Sequence, residues 1–449
     1  MEIKQRMSTR FAWLLGLVVL VSFGVLVACG TKYSSSSDGL VIVGSQGSAT
    51  VETFSFNLSN GHISGISNTP GDTGTQTCLL PGLPSSMVID PSGTYVYAII
   101  NQTDTCDGSQ TGITSFNVKS DGTIGAVGSI VADPNPVALA IDSSGKFLFV
   151  AEGLASTALN NYNAKPSNFP CTQSNDPLVL IQYGICVYSI NAGTITPVPQ
   201  TFATILPSGA QVPNFAALAL TPTVFPSNGI NGQQSAVCST NGITPPSNEF
   251  LYIADSVNNV VYEFVVDMST GVLSNPPNPG FLAAGTVPSG VAVDACDRFV
   301  YVSNQTSNNV SAYTICNGMT TQSATCPATA DGSLVSVPGS PFSLSAGANG
   351  PGPILSDPFG KFLYVLDQKS DMVSPFKIAQ VTGALTSQAV ASTGLAPTGM
   401  AIRGDDNWLF VTNFNSATMS QYAITPATGA LSPQPTVATD NFPWGVAVK

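Results

Sequence analysis

Short apolar runs, each closed by a polar residue, recur seven times along the chain. The pattern is Phe-Leu-Tyr-Val-x-Asn/Asp, and the clearest copies end at Asn304 and Asp367. The seven runs span residues 40–45, 95–101, 147–152, 250–255, 299–304, 362–367 and 408–413. Repetition of one strand-like unit in fixed order is typical of a repeat architecture.

Further apolar segments surround each run and divide the unit into four strands. A first segment and a tight turn of the Asp-Pro-x-Gly type precede the run, which predicts a hairpin. A third segment with period-two alternation follows, as at 310–315, and a glycine-bearing turn then leads to a short fourth segment, as at 428–431. Four antiparallel strands repeated in tandem predict an all-β, seven-bladed β-propeller.

The two ends of the chain are complementary fragments of one unit. The first unit lacks a first strand, because residues 39–40 begin directly at the second. The last segment, 443–449, has the pattern of a first strand with nothing after it. We therefore predict that the C-terminal strand joins the N-terminal blade and closes the ring over residues 39–449.

The first thirty residues have the pattern of a secretory signal. Lys4, Arg6 and Arg10 precede an apolar stretch, and Leu26-Val27-Ala28-Cys29 follows it. The segment resembles a bacterial lipoprotein signal, which implies a signal peptide at 1–28, a lipid on Cys29 and a tether at 29–38. An uncleaved membrane anchor is the alternative. We expect lipid anchoring in the cell envelope, at the outer membrane or cell surface rather than the inner membrane.

Nine cysteines fit an oxidising compartment, since eight remain once Cys29 is assigned to lipid. In a propeller, the loops between blades and the loops between second and third strands lie on one face, called here the first face. The other loops lie on the second face. Four cysteines map to each, which predicts the pairs Cys78–Cys106, Cys171–Cys186, Cys238–Cys296 and Cys316–Cys326.

Charge is scarce, with 8% charged residues and a net charge of −12. Nucleic-acid binding needs clustered lysine and arginine, so it is disfavoured. The single histidine, His62, falls in an outer hairpin turn and serves poorly as a catalytic base. No serine triad or phosphate loop can be assembled, and we assign no catalytic residue.

The repeat resembles the YVTN-repeat, lactonase-type seven-bladed propeller family, which includes bacterial 6-phosphogluconolactonases. Phe299-Val-Tyr-Val-Ser-Asn304 and Trp408-Leu-Phe-Val-Thr-Asn413 carry the resemblance. It implies hydrolysis of a sugar lactone. A phosphorylated substrate needs cations in the pocket, yet only Lys165 and Lys369 map to the first face, where the family pocket would open. Phosphosugar hydrolysis is therefore disfavoured.

Polar residues end the second strands and offer a candidate rim for a ligand or a metal ion. They are Asn101, Glu152, Asp255, Asn304, Asp367 and Asn413. Carboxylates and amides converging at a channel mouth could bind calcium or magnesium, or hydrogen-bond a carbohydrate. The alternative is that each side chain bonds only the backbone of the following loop.

Two functions remain open. The first is a lipid-anchored scaffold that binds a protein or carbohydrate on its first face and contacts the membrane through its lipid alone. The second is a lactonase-like hydrolase of a cyclic ester, with or without a divalent cation. We expect a monomer in either case, and the sequence favours the scaffold.

Overall fold

The computed structural model describes 38–47, 50–66, 83–101, 111–126, 131–132, 135–153, 184–200, 210–211, 213–222, 248–276, 280–318, 326 and 331–449. These residues form strands, turns and loops, and none of them lies in an α-helix. Within the same ranges, no helix is long and apolar enough to cross a membrane.

Seven antiparallel sheets form the blades of a propeller, which confirms the predicted fold. We number the blades by the chain order of their second strands. The second strands, from blade one to blade seven, are Asp38–Ser45, Tyr95–Asn101, Phe147–Glu152, Glu249–Asp255, Phe299–Asn304, Phe362–Asp367 and Trp408–Asn413. The third strands are Thr50–Asn57, Gly112–Val118, Ile185–Asn191, Val260–Val266, Asn309–Ile315, Met372–Ile378 and Thr418–Ile424.

The first strands pack against one another around the central channel. From blade one they are Pro443–Val448, Leu83–Ile89, Pro136–Ile141, Phe215–Leu220, Pro288–Val293, Pro351–Ser356 and Pro397–Ile402. The fourth strands are short and lie outermost: Ile63–Gly65, Ile124–Ala126, Thr194–Pro197, Leu273–Ser274, Leu334–Ser336, Leu385–Ser387 and Leu431–Pro433. Strand order within each sheet therefore follows chain order in every blade except blade one.

Within the described ranges, five blades carry an additional short strand that the repeat pattern did not predict. These strands pair with the first-face end of the third strand, beyond the region that the fourth strand covers. They are Val131–Ala132, Phe281–Ala283, Phe342–Ser343, Ala391–Ser392 and Val437–Ala438. Each has only two or three residues, which is too short to show period-two alternation.

The C-terminal strand closes the ring as predicted. Pro443–Val448 pairs antiparallel with Asp38–Ser45, and the register joins Ile42 to Ala447 and Val43 to Val446. The backbones of Leu40 and Lys449 exchange hydrogen bonds of 3.2 and 2.8 Å. The first and last parts of the folded ring are thus held together without a covalent bond.

The second strands are the most deeply buried elements, because they lie within each sheet and pack against blades on both sides. All six side chains of Phe299–Asn304 and of Trp408–Asn413 are buried. Their alternate side chains enter different interblade clusters: Val300 and Val302 pack with blade four, whereas Tyr301 packs with blade six. Apolar burial on both faces explains why these runs are almost continuously hydrophobic.

One predicted disulfide lies wholly within the described residues and is confirmed. Cys316 and Cys326 are bonded, with Cα atoms 5.4 Å apart. Cys186 and Cys296 are disulfide-bonded as well. Cys29, Cys78, Cys106, Cys171 and Cys238 lie outside the described residues, so the other three pairings stay predictions.

Candidate functional site

The central channel contains a cavity of about 820 Å³ on its second-face side. Its wall is formed by the first strands of all seven blades, which contribute apolar residues that include Met87, Leu139, Leu218, Val291, Ile354, Met400 and Val446. Asp90, Asp142, Arg403 and Lys449 supply charged groups at the second-face end of this wall. Most of the chamber is therefore apolar, with its charges confined to one end.

The polar residues that end the second strands occupy equivalent positions, since each pairs with the first residue of the neighbouring first strand. Asp255, Asn304, Asp367 and Asn413 are completely buried, and Glu152 is nearly so. Asn101 ends its strand at the same place, but its side chain lies outside the described part of the structure. Asp255, Asn304, Asp367 and Asn413 form hydrogen bonds inside their own blades or with the incoming loop.

Asn304 shows the arrangement most clearly. Its Oδ1 accepts a 3.0 Å hydrogen bond from the N–H of Gly285, in the loop that enters blade five. Its Nδ2 donates to Oγ of Ser311 on the third strand, at 2.9 Å. Asn413 makes the corresponding contacts in blade seven, with the N–H of Gly394 and Oγ of Ser420. The amide thus fastens the second strand, the third strand and the incoming loop.

Blade one has a similar arrangement, but the serine lies on the second strand and its larger polar partner lies on the third strand. Ser45 ends the second strand, and its Oγ donates to Oε2 of Glu52 on the third strand. Glu52 Oε2 also accepts a 2.7 Å hydrogen bond from the N–H of Asp440, in the loop that enters the blade. The sequence pattern did not single out Glu52, because it sits on the third strand instead of the second.

Blades three and four also bury their terminal carboxylates. Asp255 accepts hydrogen bonds from the backbone of Asn214, Val257 and Asn258, and from the Asn258 side chain. Glu152 Oε1 lies 2.7 Å from Sγ of Cys186; because that sulfur is disulfide-bonded and carries no proton, the contact is not a hydrogen bond. The predicted role of these residues in binding a ligand or metal ion stays a prediction.

Blade six departs from this arrangement at Asp367. Oδ2 accepts a 2.5 Å hydrogen bond from Ser374 Oγ, whereas the buried Oδ1 has no hydrogen-bond partner among the described residues. Ala348 occupies the loop position of Gly285 and Gly394, but its N–H donates to the carbonyl of Ser345. Burial raises the pKa of Asp367 to about 7, and the Ser374 hydrogen bond opposes this shift.

The two described arginines are held in internal contacts on the second face. Arg298 is buried and forms an ion pair with Asp294, with Nη2 2.6 Å from Oδ2. Arg403 is buried and pairs with Asp405, and its guanidinium lies over the ring of Phe56. Lys449 donates to the carbonyl of Gly93 at 2.9 Å. Lys369 lies in the first-face turn between strands of blade six, while Lys165 lies outside the described residues.

Three aromatic residues lie together on the first face, at the seam between blades seven and one. The rings of Phe414 and Phe442 stack with centroids 4.8 Å apart, and Trp444 meets Phe414 edge-on at 5.4 Å. Phe442 is 46% exposed and Trp444 is 38% exposed. We call Phe414, Phe442 and Trp444 the aromatic patch. The sequence pattern did not predict this patch.

No group of three histidine, cysteine, aspartate or glutamate side chains in the described ranges is arranged to hold a metal ion. The predicted calcium or magnesium site therefore stays a prediction.

Comparison with known families supports the propeller fold and the resemblance to the lactonase-type family. A family model described as "Lactonase, 7-bladed beta-propeller" matches residues 242–337 and 320–448, which include blades five to seven and the closing strand. The resemblance to the lactonase-type propeller family is confirmed. The match lies in the C-terminal part of the chain, where the repeat is most regular.

Individual proteins show the same relationship at low identity. A 6-phosphogluconolactonase of Yersinia pestis is 22% identical over 354 residues, which cover 74% of this chain and 91% of that protein. The periplasmic gluconolactonase of Pseudomonas aeruginosa has a TM-score of 0.61 at 17% identity, over 92% of this chain and 99% of the other. A Lactobacillus plantarum protein has the same TM-score at 15% identity and the same coverage. These structural matches support the propeller fold alone.

Proposed function

We propose that this protein is a lactone hydrolase whose substrate is an uncharged cyclic ester of a sugar acid. The match of blades five to seven to the lactonase family model is the observation that carries the proposal. Alignment with a curated 6-phosphogluconolactonase across 91% of that protein adds support. This function replaces the binding scaffold as the favoured interpretation, since both relationships point to lactone chemistry.

The uncharged substrate follows from the positions of the cations. A phosphate group is best bound by a free arginine or by several lysines. Arg298 and Arg403 are buried in ion pairs with aspartates, which leaves Lys369 as the described cation at the first face. A gluconolactone without phosphate fits this charge distribution better than 6-phosphogluconolactone does. The name of the Pseudomonas protein also specifies gluconolactone.

Asp367 is our candidate for the group that activates water. A general base works best when its pKa lies near the working pH, and the pKa of Asp367 is raised to about 7. Ser374 fixes one carboxylate oxygen, and Oδ1 is available to hold a water molecule. In the proposed reaction, this carboxylate takes a proton from water as the oxygen attacks the lactone carbonyl. The ring C–O bond of the tetrahedral intermediate then breaks, and the protonated Asp367 gives its proton to the alkoxide leaving group, which regenerates the carboxylate.

The test is the initial rate of D-glucono-1,5-lactone hydrolysis above the spontaneous rate, followed with and without EDTA, calcium and magnesium. Asp367→Asn should lower kcat at least about 100-fold and abolish the rise in rate around pH 7. Asp121→Asn, in an exposed outer turn, is the matched control and should leave the rate unchanged. Equal rates for the wild type and Asp367→Asn would remove Asp367 from the mechanism. The absence of hydrolysis with any sugar lactone would reject the function.

The scaffold function keeps one supporting observation, which is the exposed aromatic patch on the first face. Saturable binding of a protein or glycan without turnover of any lactone would favour it. Either function fits our proposal of a lipid-anchored protein of the cell envelope, and Cys29→Ala should abolish lipid labelling. A divalent cation is a further proposal, supported if EDTA stops hydrolysis and calcium or magnesium restores it.

A further inference from the structure

The aromatic patch stands at three positions where the other blades have no aromatic residue. Register relates Trp444 to Ser289, Gly352 and Thr398, since each follows the first residue of a first strand. Phe442, just before that strand, corresponds to Val287, Gly350 and Ala396. Phe414, just after the second strand of blade seven, corresponds to Ser256, Gln305 and Gln368. The fold therefore forms at these positions without aromatic side chains.

Phe442 also has an unfavourable backbone conformation. Its φ is +57°, a region in which a bulky residue is an outlier. Val287, Gly350 and Ala396 have positive φ as well, so the turn has this conformation in blades five, six and seven too. Glycine would satisfy the turn with less strain. Burial of the Phe442 side chain offsets little of this strain, because nearly half of its surface is exposed.

Closure of the ring does not account for the patch. The core cluster at the seam contains Phe54, Phe56, Phe410 and Val446, and it includes none of the three patch residues. Backbone pairing of the closing strand, and hydrogen bonds from Thr398 and Thr412 to the Trp444 carbonyl, already join the two blades. Leu395, Phe442 and Trp444 are three of the four most exposed large apolar side chains in the described ranges.

The surroundings of the patch restrict the ligand by charge. Asp440 lies two residues before Phe442, and Oε2 of Glu52 accepts its N–H. The described cations that lie over aromatic rings contact Phe299, Phe359 and Phe56, and none contacts the patch. Two carboxylates nearby oppose an anionic ligand such as a sugar phosphate. The exposed Asn415 and Asn441 beside the patch can hydrogen-bond hydroxyl groups.

We propose that the aromatic patch is a binding subsite for the apolar face of an uncharged pyranose-like ring, such as an aldonolactone. One face of such a ring presents C–H groups to the aromatic surface, while its hydroxyls point sideways towards polar neighbours. The proposal rests on the proposed lactone hydrolase function for its choice of ligand, and it names the substrate class and where the substrate stacks. Leu395 lies in the loop that connects blade six to blade seven, and its carbonyl accepts a 3.2 Å hydrogen bond from the N–H of Asn415, next to Phe414.

The experiment separates binding from turnover. Binding of methyl β-D-glucopyranoside to the full chain is followed by tryptophan fluorescence, since Trp444 is exposed and Trp408 is buried. For variants that lack Trp444, isothermal titration calorimetry is used to measure Kd instead. Trp444→Ala should raise Kd, and KM for D-glucono-1,5-lactone, at least about ten-fold with little change in kcat. Trp444→Phe should stay within about three-fold of the wild type.

Two controls complete the test. Val381→Ala removes a still more exposed apolar side chain elsewhere and should change neither Kd nor KM. Glucose 6-phosphate should bind at least about ten-fold more weakly than the neutral glucoside. If Trp444→Ala hydrolysed the lactone with an unchanged KM, the subsite would be rejected, whereas the proposed hydrolase function would still hold. Glucoside binding that Trp444→Ala abolishes, without hydrolysis of any lactone, would support the subsite and reject the hydrolase. A lower Tm with unchanged Kd would make the patch a packing element only.

Discussion

The carboxylate of Asp406 lies within hydrogen-bonding reach of the carboxylate of Asp357 in the neighbouring blade. Both belong to the hairpin turns between first and second strands, and both are buried. Asp357 accepts N–H bonds from Lys361 and Phe362, whereas both oxygens of Asp406 lack a described hydrogen-bond donor. A proton shared between the two groups satisfies this geometry.

Stability should therefore fall as the pH rises. Burial raises the pKa of Asp357 to about 6 and that of Asp406 to about 8, the latter also through the charge of Asp357. Burial raises the pKa of Glu249 and Glu263 to about 8 as well. A carboxyl group whose pKa is raised in the folded state stabilises the fold at pH values below its unfolded-state pKa of about 4. This contribution is lost as the pH rises through the folded-state pKa. We expect a lower Tm at pH 9 than at pH 5.

Asp406→Asn tests the pair directly. An amide donates a hydrogen bond to Asp357 without titrating, and asparagine tolerates the φ of +57° at this position. The variant should be more stable than the wild type at pH 9 by about 1–2 kcal/mol, and similar to it at pH 5. Asp121→Asn, in an exposed turn, should leave the slope between pH 5 and pH 9 unchanged. A wild-type slope in Asp406→Asn would contradict the shared proton.

Asn413→Ala should destabilise the protein by about 2–3 kcal/mol, since it leaves the N–H of Gly394 unpaired and removes the bond to Ser420. Asn304→Ala should have a similar effect in blade five, where the contacts are the same. Urea denaturation gives both values. Asn415→Ala, an exposed neighbour, should change stability by less than about 0.5 kcal/mol. Equal effects at Asn413 and Asn415 would show that the buried amide does not fasten the blade.

Arg298 joins blade five to blade six. It contacts Asp294 of its own turn and donates to the carbonyls of Gly360 and Gln380 in the next blade. Arg298→Met should cost about 3–5 kcal/mol, because Asp294 stays buried without its partner. Arg298→Lys should not restore stability, as one ammonium cannot reach all three partners. Lys377→Met, at an exposed position, is the charge-matched control for the denaturation measurement. Comparable losses of stability in Arg298→Met and Lys377→Met would show that Arg298 does not join the two blades.

Much of the fold follows from the sequence, because the second strands repeat with fixed order and their alternating neighbours define the other strands. Closure by 443–449 was predictable, since the first unit lacks a first strand and the last segment has the pattern of one. The five additional short strands were not, as two or three residues carry no periodicity. The confirmed bond between Cys316 and Cys326 followed from assigning both to loops on one face.

The candidate site was less predictable, because it depends on differences between blades. Asn304 and Asn413 have the polar character expected of a rim, but their side chains donate hydrogen bonds to Ser311 and Ser420 of the third strands, inside the blade. Asp367 has the same position, but it is a carboxylate, and the N–H of Ala348 donates to the carbonyl of Ser345 instead of to it. Trp444 follows the sequence pattern of a core aromatic, and its exposure depends on the turn that precedes it. Alignment of the seven repeats by register would have shown Trp444 as an exception.

The closing strand should be essential for stability although no covalent bond holds it. Val446 is buried in the cluster between blades seven and one, where a carboxylate would find no partner. Val446→Asp should therefore destabilise the ring by about 3 kcal/mol or more. Val381→Asp introduces the same charge at a 67% exposed site and should cost less than about 0.5 kcal/mol. Thermal denaturation followed by circular dichroism compares the two. If the two variants melted together, the C-terminal strand would contribute little to closure, and the ring would be held by its other interblade contacts.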